Sequence, residues 1–144
     1  MNYTVKNVKS FQGREGFGFA CSLFLNEKKI GTVTDYGDGG CLNFLIGKNE
    51  KVQLDEYCKT LPPLDFDGRK INNDADIFVG SLVDAFKNNK KLKNLIKRKT
   101  VFKISEDEKG TYRVIGTVFD IKVKTYLENK YKDKGLEIIN EKLR

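Results

Sequence analysis

Between Phe11 and Phe44 the chain reads FQGREGFGFACSLFLNEKKIGTVTDYGDGGCLNF, and this segment holds seven of the thirteen glycines. Glycine tolerates a positive φ and lets another backbone come close, so Gly13, Gly16 and Gly18 on one side and Gly37, Gly39 and Gly40 on the other mark bends or contact points. Between the two clusters, apolar residues alternate partly in FGFACSLFL and well in KKIGTVT, with Asn26-Glu27 as a short connection. Period-two alternation on either side of a two-residue turn predicts a β-hairpin.

The flanking segments extend this into a meander. Residues 2 to 9 place Tyr3 and Val5 on one face and predict a first strand, and Cys41 to Ile46 is a fourth short apolar run. Four strands joined by short turns predict an antiparallel sheet with one packed face. Lys51 to Leu61 has helical apolar spacing and stops at Pro62-Pro63, where proline ends a helix. After the loop LDFDGRKI, a longer helix is expected with Asn72 or Asn73 as its cap, an apolar stripe of Phe78, Leu82, Ala85, Leu92 and Ile96, and a break near Asn88-Asn89. Residues 100 to 105 and 111 to 120 predict a hairpin around SEDEKG, and Lys124 to Lys134 a basic helix closed by Gly135. The predicted class is α+β: an N-terminal four-stranded antiparallel meander, two to three helices and a C-terminal β-hairpin. At 144 residues, with no linker and no repeat, one domain spanning 1–144 is expected.

Composition excludes several chemistries. The chain has no histidine, which removes Ser-His-Asp and Cys-His nucleophiles, imidazole-ligated zinc and any histidine pH switch. Cys21, Cys41 and Cys58 are odd in number and contain no C-x-x-C, so buried free thiols are expected in place of disulfides or a zinc site. Asp65, Asp67, Glu106, Asp107 and Glu108, with Lys70 or Lys109, have the residue types of a magnesium nuclease, but SEDEKG reads as a solvated hairpin tip. No enzymatic activity, metal or cofactor is expected. The absence of an apolar run of membrane-spanning length, and of a hydrophobic leader after Met1, points to a soluble cytoplasmic protein without a membrane partner.

Charge points to a partner. Of 27 basic residues, seven (Lys87, Lys90, Lys91, Lys93, Lys97, Arg98 and Lys99) fall in one stretch without an acid, and the other 20 match the 20 acids. The excess of +7 is therefore local, and a concentrated positive region attracts phosphate-rich ligands. Arginine pairs bidentately with phosphate and aromatic rings stack on bases, so Arg14, Arg69, Arg98 and Arg113, with Phe17 and Tyr36, are the candidate ligand-binding residues.

Two resemblances bear on this reading. FQGREGFGF, SLFLNEKKIGTV and DYGDGG together, covering roughly residues 5 to 45, are similar to an uncharacterised family of small proteins of bacteriophages and prophages that share an F-x-G-x-E-G-x-G-F start and a D-x-G-x-G-G close. Over a shorter stretch, VKSFQGREGFGFA resembles the start of a cold-shock domain, although a second aromatic strand has no counterpart in KKIGTVTDYGDGG. The first resemblance implies a mobile-element origin, and with it the cytoplasm of a bacterial host, but not a mechanism; small basic accessory phage proteins without catalytic motifs are frequently counter-defence factors, and that role is carried by association. The expected function is non-enzymatic sequestration of a nucleotide-derived immune signal, of the cyclic-nucleotide or ADP-ribose type, with homo-oligomerisation as a way to enlarge the pocket. The alternatives are a single-stranded nucleic-acid-binding protein and an inhibitor of a host defence nuclease or effector.

Overall fold

The computed structural model describes residues 1–143. The chain is an α+β protein that divides into two compact units, Met1–Lys87 and a second beginning at Asn88.

The first unit opens with four strands, β1 (Tyr3–Gln12), β2 (Phe17–Leu25), β3 (Lys28–Asp35) and β4 (Asn43–Ile46), paired antiparallel in sequence order. Asn26 and Glu27, with φ of 50° and 72°, make the two-residue turn between β2 and β3. Two positive φ values are what the right-handed twist of a tight hairpin demands, and asparagine tolerates one of them well. Asn26 also exchanges hydrogen bonds with Asn2, its side-chain oxygen accepting from the Asn2 amide. Along β2, Phe19, Cys21 and Leu23 alternate into the core, where they meet Tyr3, Val5 and Val33. Gly18, Ala20, Ser22 and Phe24 take the opposite face, with Phe11 opposite Gly18, Lys9 opposite Ala20 and Lys6 opposite Ser22. A bulge at Asn7 (φ 55°) restores this parity along β1.

Helix α1 (Lys48–Lys59) buries Leu54 and Cys58 against the sheet's inner face. LDFDGRKI is a short hairpin, not the expected loop: β5 (Leu64–Phe66) pairs with β6 (Arg69–Ile71) across Asp67 and Gly68, both at positive φ. Helix α2 (Ala75–Leu95) contributes Ala75, Val79 and Val83 to the first unit's core. Phe78 and Leu82 of the expected stripe pack against this core, half-buried, but its centre lies at Ala75, Val79 and Val83, and Ala85 is exposed. The cap is Asp74, not Asn72 or Asn73: its carboxylate accepts the Ile77 amide hydrogen at 2.8 Å. Helix α2 runs through Asn88-Asn89 without a break. Two exposed asparagines cost only tenths of a kcal/mol each in helix propensity, and the lysines around them are good helix formers that suit a helix C-terminal end.

In the second unit, β7 (Thr100–Lys103) is flanked by β8 (Arg113–Ile115) and β9 (Glu137–Ile138), giving a three-stranded antiparallel sheet. β7 and β8 are the predicted hairpin, and β9 is added to its other edge. Helix α3 (Ile121–Lys130) is capped by Asp120, which accepts the Val123 amide hydrogen at 2.9 Å. Leu127 of α3 packs with Phe102 and Ile138 in a separate apolar cluster. A single turn, α4 (Ile139–Lys142), ends the described chain. Among the described residues no helix is long and apolar enough to cross a membrane.

Cys41 departs from the expectation of buried thiols. Cys21 and Cys58 are buried, but Cys41 follows the Gly39-Gly40 turn outside any strand and is exposed. Burial pushes the Cys21 and Cys58 thiols up to about 11, Cys58 also feeling the Asp55 and Asp74 carboxylates. Thiolate is the reactive form, so a disulfide reagent at pH 8 should consume one thiol quickly in the native protein and three after denaturation. Loss of the fast phase in Cys41→Ser checks the assignment.

Candidate functional site

The acid-free basic stretch becomes the end of α2 and the turn after it. Helical spacing sets Lys90, Lys93 and Asn94 at i, i+3 and i+4 on one side of α2, and the turn after the helix carries Lys97. Together they line a cleft of about 520 Å³ within the second unit, whose remaining wall is Ile96, Val118, Phe119, Asn140 and Leu143. The cleft is apolar below and cationic around its rim. Among the described residues, none of Lys87, Lys90, Lys91, Lys93, Lys97, Arg98 and Lys99 has a side-chain hydrogen bond or ion pair. The surrounding field reinforces them: from Asn88 onward the chain carries 16 basic and 8 acidic residues, against 11 and 12 in Met1–Lys87.

Asn140 lines the cleft without offering its amide to a ligand. Its side-chain oxygen accepts the Val101 amide hydrogen at 2.7 Å, and its nitrogen donates to the Ile96 and Lys99 carbonyls at 3.2 and 2.9 Å. This one buried side chain fixes the turn from which Lys97 projects. The turn also closes on itself, the Arg98 and Lys99 amides donating to the Leu95 carbonyl.

The residues expected to bind ligand fall in both units. Arg14, Phe17 and Tyr36 share the glycine corner of the first unit, where the Gly13 amide donates to the Gly16 carbonyl and the Glu15 amide to the Gly37 carbonyl, each at 2.6 Å. There the glycines serve close backbone packing: a Cβ on Gly13 would run into Tyr36 and Gly37, and one on Gly37 (φ 69°) would lie 2.7 Å from the Gly16 oxygen. Phe17 is 78% exposed and Tyr36 54%, whereas Phe19 is core. Arg69 is exposed on β6.

Arg98 and Arg113 belong to the second unit, and Arg113 is already engaged. Its guanidinium holds Asp107 through two nitrogens at 3.0 and 3.1 Å, lies 3.6 Å from Glu106, and faces the Tyr131 ring at 5.7 Å. These hydrogen bonds, with that from the Ile104 amide, hold the Asp107 carboxyl below its ordinary value. The acidic groups weighed as metal ligands do similar local work: Asp65 accepts the Gly68 amide hydrogen in the β5–β6 turn. Among the described residues no three cysteine, aspartate or glutamate side chains converge on a possible metal position.

The sequence supplied the lysines of the cleft but not its floor. Val118, Phe119 and Leu143 carry no local pattern, and Asn140 is legible only as one polar residue after the run Leu136 to Ile139. Comparison with known proteins finds no matching family model, no matching curated protein and no matching solved structure.

Proposed function

We propose that the protein is a non-enzymatic binder of a nucleotide-type, phosphate-bearing ligand, held in the α2-end cleft. The observation that carries this is three lysines without an ionic partner, arranged around an apolar floor. Lysines suit phosphate oxygens, and an apolar floor suits the face of a base or ribose. The volume also falls in the range of small-ligand sites, roughly 300–1,000 Å³. Bound there, a cyclic nucleotide or ADP-ribose-type signal is withdrawn from the effector that reads it. This is a role that small basic accessory proteins of phages frequently play, and the resemblance to a phage family supports it by association.

Calorimetric titration of the full chain with cyclic di- and trinucleotides and ADP-ribose, at fixed salt, tests the reading. One of these should bind, and the triple substitution Lys90→Gln, Lys93→Gln, Lys97→Gln should weaken it by about 100-fold or more, at roughly 1–1.5 kcal/mol for each charged hydrogen bond lost. No binding by any of them, or full affinity in the triple variant with the fold intact by circular dichroism, overturns the assignment.

A further inference from the structure

We propose that the outward face of the four-stranded meander is a second ligand surface, and that it binds single-stranded nucleic acid. The antiparallel register decides which residues occupy this face. Phe11 lies opposite Gly18 at one end, and Phe24 lies between Thr4 and Lys29 at the other. Phe24 lies six residue steps along β2 from Gly18, a distance of roughly 20 Å at about 3.3 Å per step.

Between these rings, β2 carries the half-buried Ala20 and the buried Ser22, neither of which stands above the sheet. Lys9 and Lys6 flank them on β1, and Thr34 and Thr32 on β3. No position paired in this register on the outward face is a carboxylate. Asp35 is paired with Phe19 on the inner side and spends its carboxylate on the Gly37 amide, and Asp38 spends its own on Gly40. In a unit with no net positive charge, this face is locally cationic.

The aromatic rings are held in place to be used. Gly18 has no side chain, and a Cβ there would fall 2.8 Å from an edge atom of the Phe11 ring, so the ring occupies the space left by the missing side chain. At the far end the Lys6 ammonium sits over the Phe24 ring, 4.8 Å from its centroid, so that cation and ring meet at one point of the face. Rings at both ends, small and hydroxylic residues between, and lysines along one side fit a chain of bases with a phosphate backbone. A single strand offers the unpaired base faces that such rings require, and site sizes from about four nucleotides match the length of the face. The two phenylalanines of this surface are Phe11 and Phe24. Phe19 of the G-F-G-F run is buried in the core, and Phe17 shares its strand parity.

The test is fluorescence anisotropy of the full chain with a labelled 12-nucleotide mixed-sequence single-stranded DNA, using the matching duplex and polyglutamate as competitors. The oligonucleotide should bind with an affinity that falls with salt. Lys6→Gln with Lys9→Gln should lower the slope of log affinity against log salt by about 1.4, at roughly 0.7 per phosphate contact. Phe11→Leu keeps an apolar group over Gly18 but removes the ring, and should weaken binding about tenfold at fixed salt. Both effects should persist in the Lys90, Lys93, Lys97 triple variant, which separates this face from the cleft. The proposal is overturned if no oligonucleotide binds at tens of micromolar protein, if neither face variant changes affinity, or if polyglutamate or duplex displaces the strand as well as unlabelled strand does.

Discussion

Gly18→Ala should destabilise the first unit by about 3 kcal/mol, one of the larger effects available to a single methyl group. The added carbon would run into the Asp35 carbonyl oxygen and fall 2.8 and 2.9 Å from the Phe11 ring and the Gly37 nitrogen. Two of these three neighbours are backbone, Asp35 at the end of β3 and Gly37 in the turn packed on Gly13 and Gly16. The strain therefore cannot relax by one side chain turning away. For a unit of this size the melting temperature should fall on the order of 15 °C. Gly80→Ala is the matched control, because Gly80 lies inside α2 with nothing within 4 Å of an added Cβ. That change should raise stability by about 0.5–1 kcal/mol, so thermal melts of the two variants should move in opposite directions. A Gly18→Ala variant melting with the native protein would show that the two glycine clusters do not pack as described.

Asn140→Ala should cost the second unit about 3–4 kcal/mol. Truncation strands three backbone groups, and each buried group left without a partner costs about 1–3 kcal/mol, partly relieved where water enters. The Val101 amide should lose its hydrogen-exchange protection first, since Asn140 is its acceptor. Asn140→Asp distinguishes the two halves of the interaction: a carboxylate still accepts from Val101 but can no longer donate to the Ile96 and Lys99 carbonyls. Ligand affinity at the cleft should fall in both variants, because the turn carrying Lys97 loses its anchor. An Asn140→Ala protein with native melting and native Val101 protection would remove Asn140 from this role.

Much of the architecture could be read from local pattern, and what could not has identifiable causes. The meander was legible because FGFACSLFL alternates in part, KKIGTVT alternates well, and Asn26-Glu27 suits a tight turn. The cap of α2 was not, because Asn72, Asn73 and Asp74 are three good caps in a row, and only the reach of Asp74 to the Ile77 amide selects among them. β9 is two residues long, too short for any alternation to show. Cys41 opens the apolar run CLNFLI, but the strand begins two residues later, which leaves the thiol in the turn. The candidate site divides along the same line. Its lysines are neighbours in sequence and visible as a charge run, while Val118, Phe119, Asn140 and Leu143 reach the cleft through contacts more than twenty residues distant.

Strand order also bears on when each surface comes into being. β1 to β4 pair only with their neighbours along the chain, so the first sheet can close as soon as residue 46 has left the ribosome, by the short loops that make folding fast. The second sheet has no such freedom. Its central strand β7 is completed by β9, and the turn beneath the lysines is pinned by Asn140, so a nascent chain that has not yet reached Glu137 to Asn140 has the meander but not the finished cleft. The cationic pocket would therefore take shape only after β9 and Asn140 have been made, well after the meander has closed.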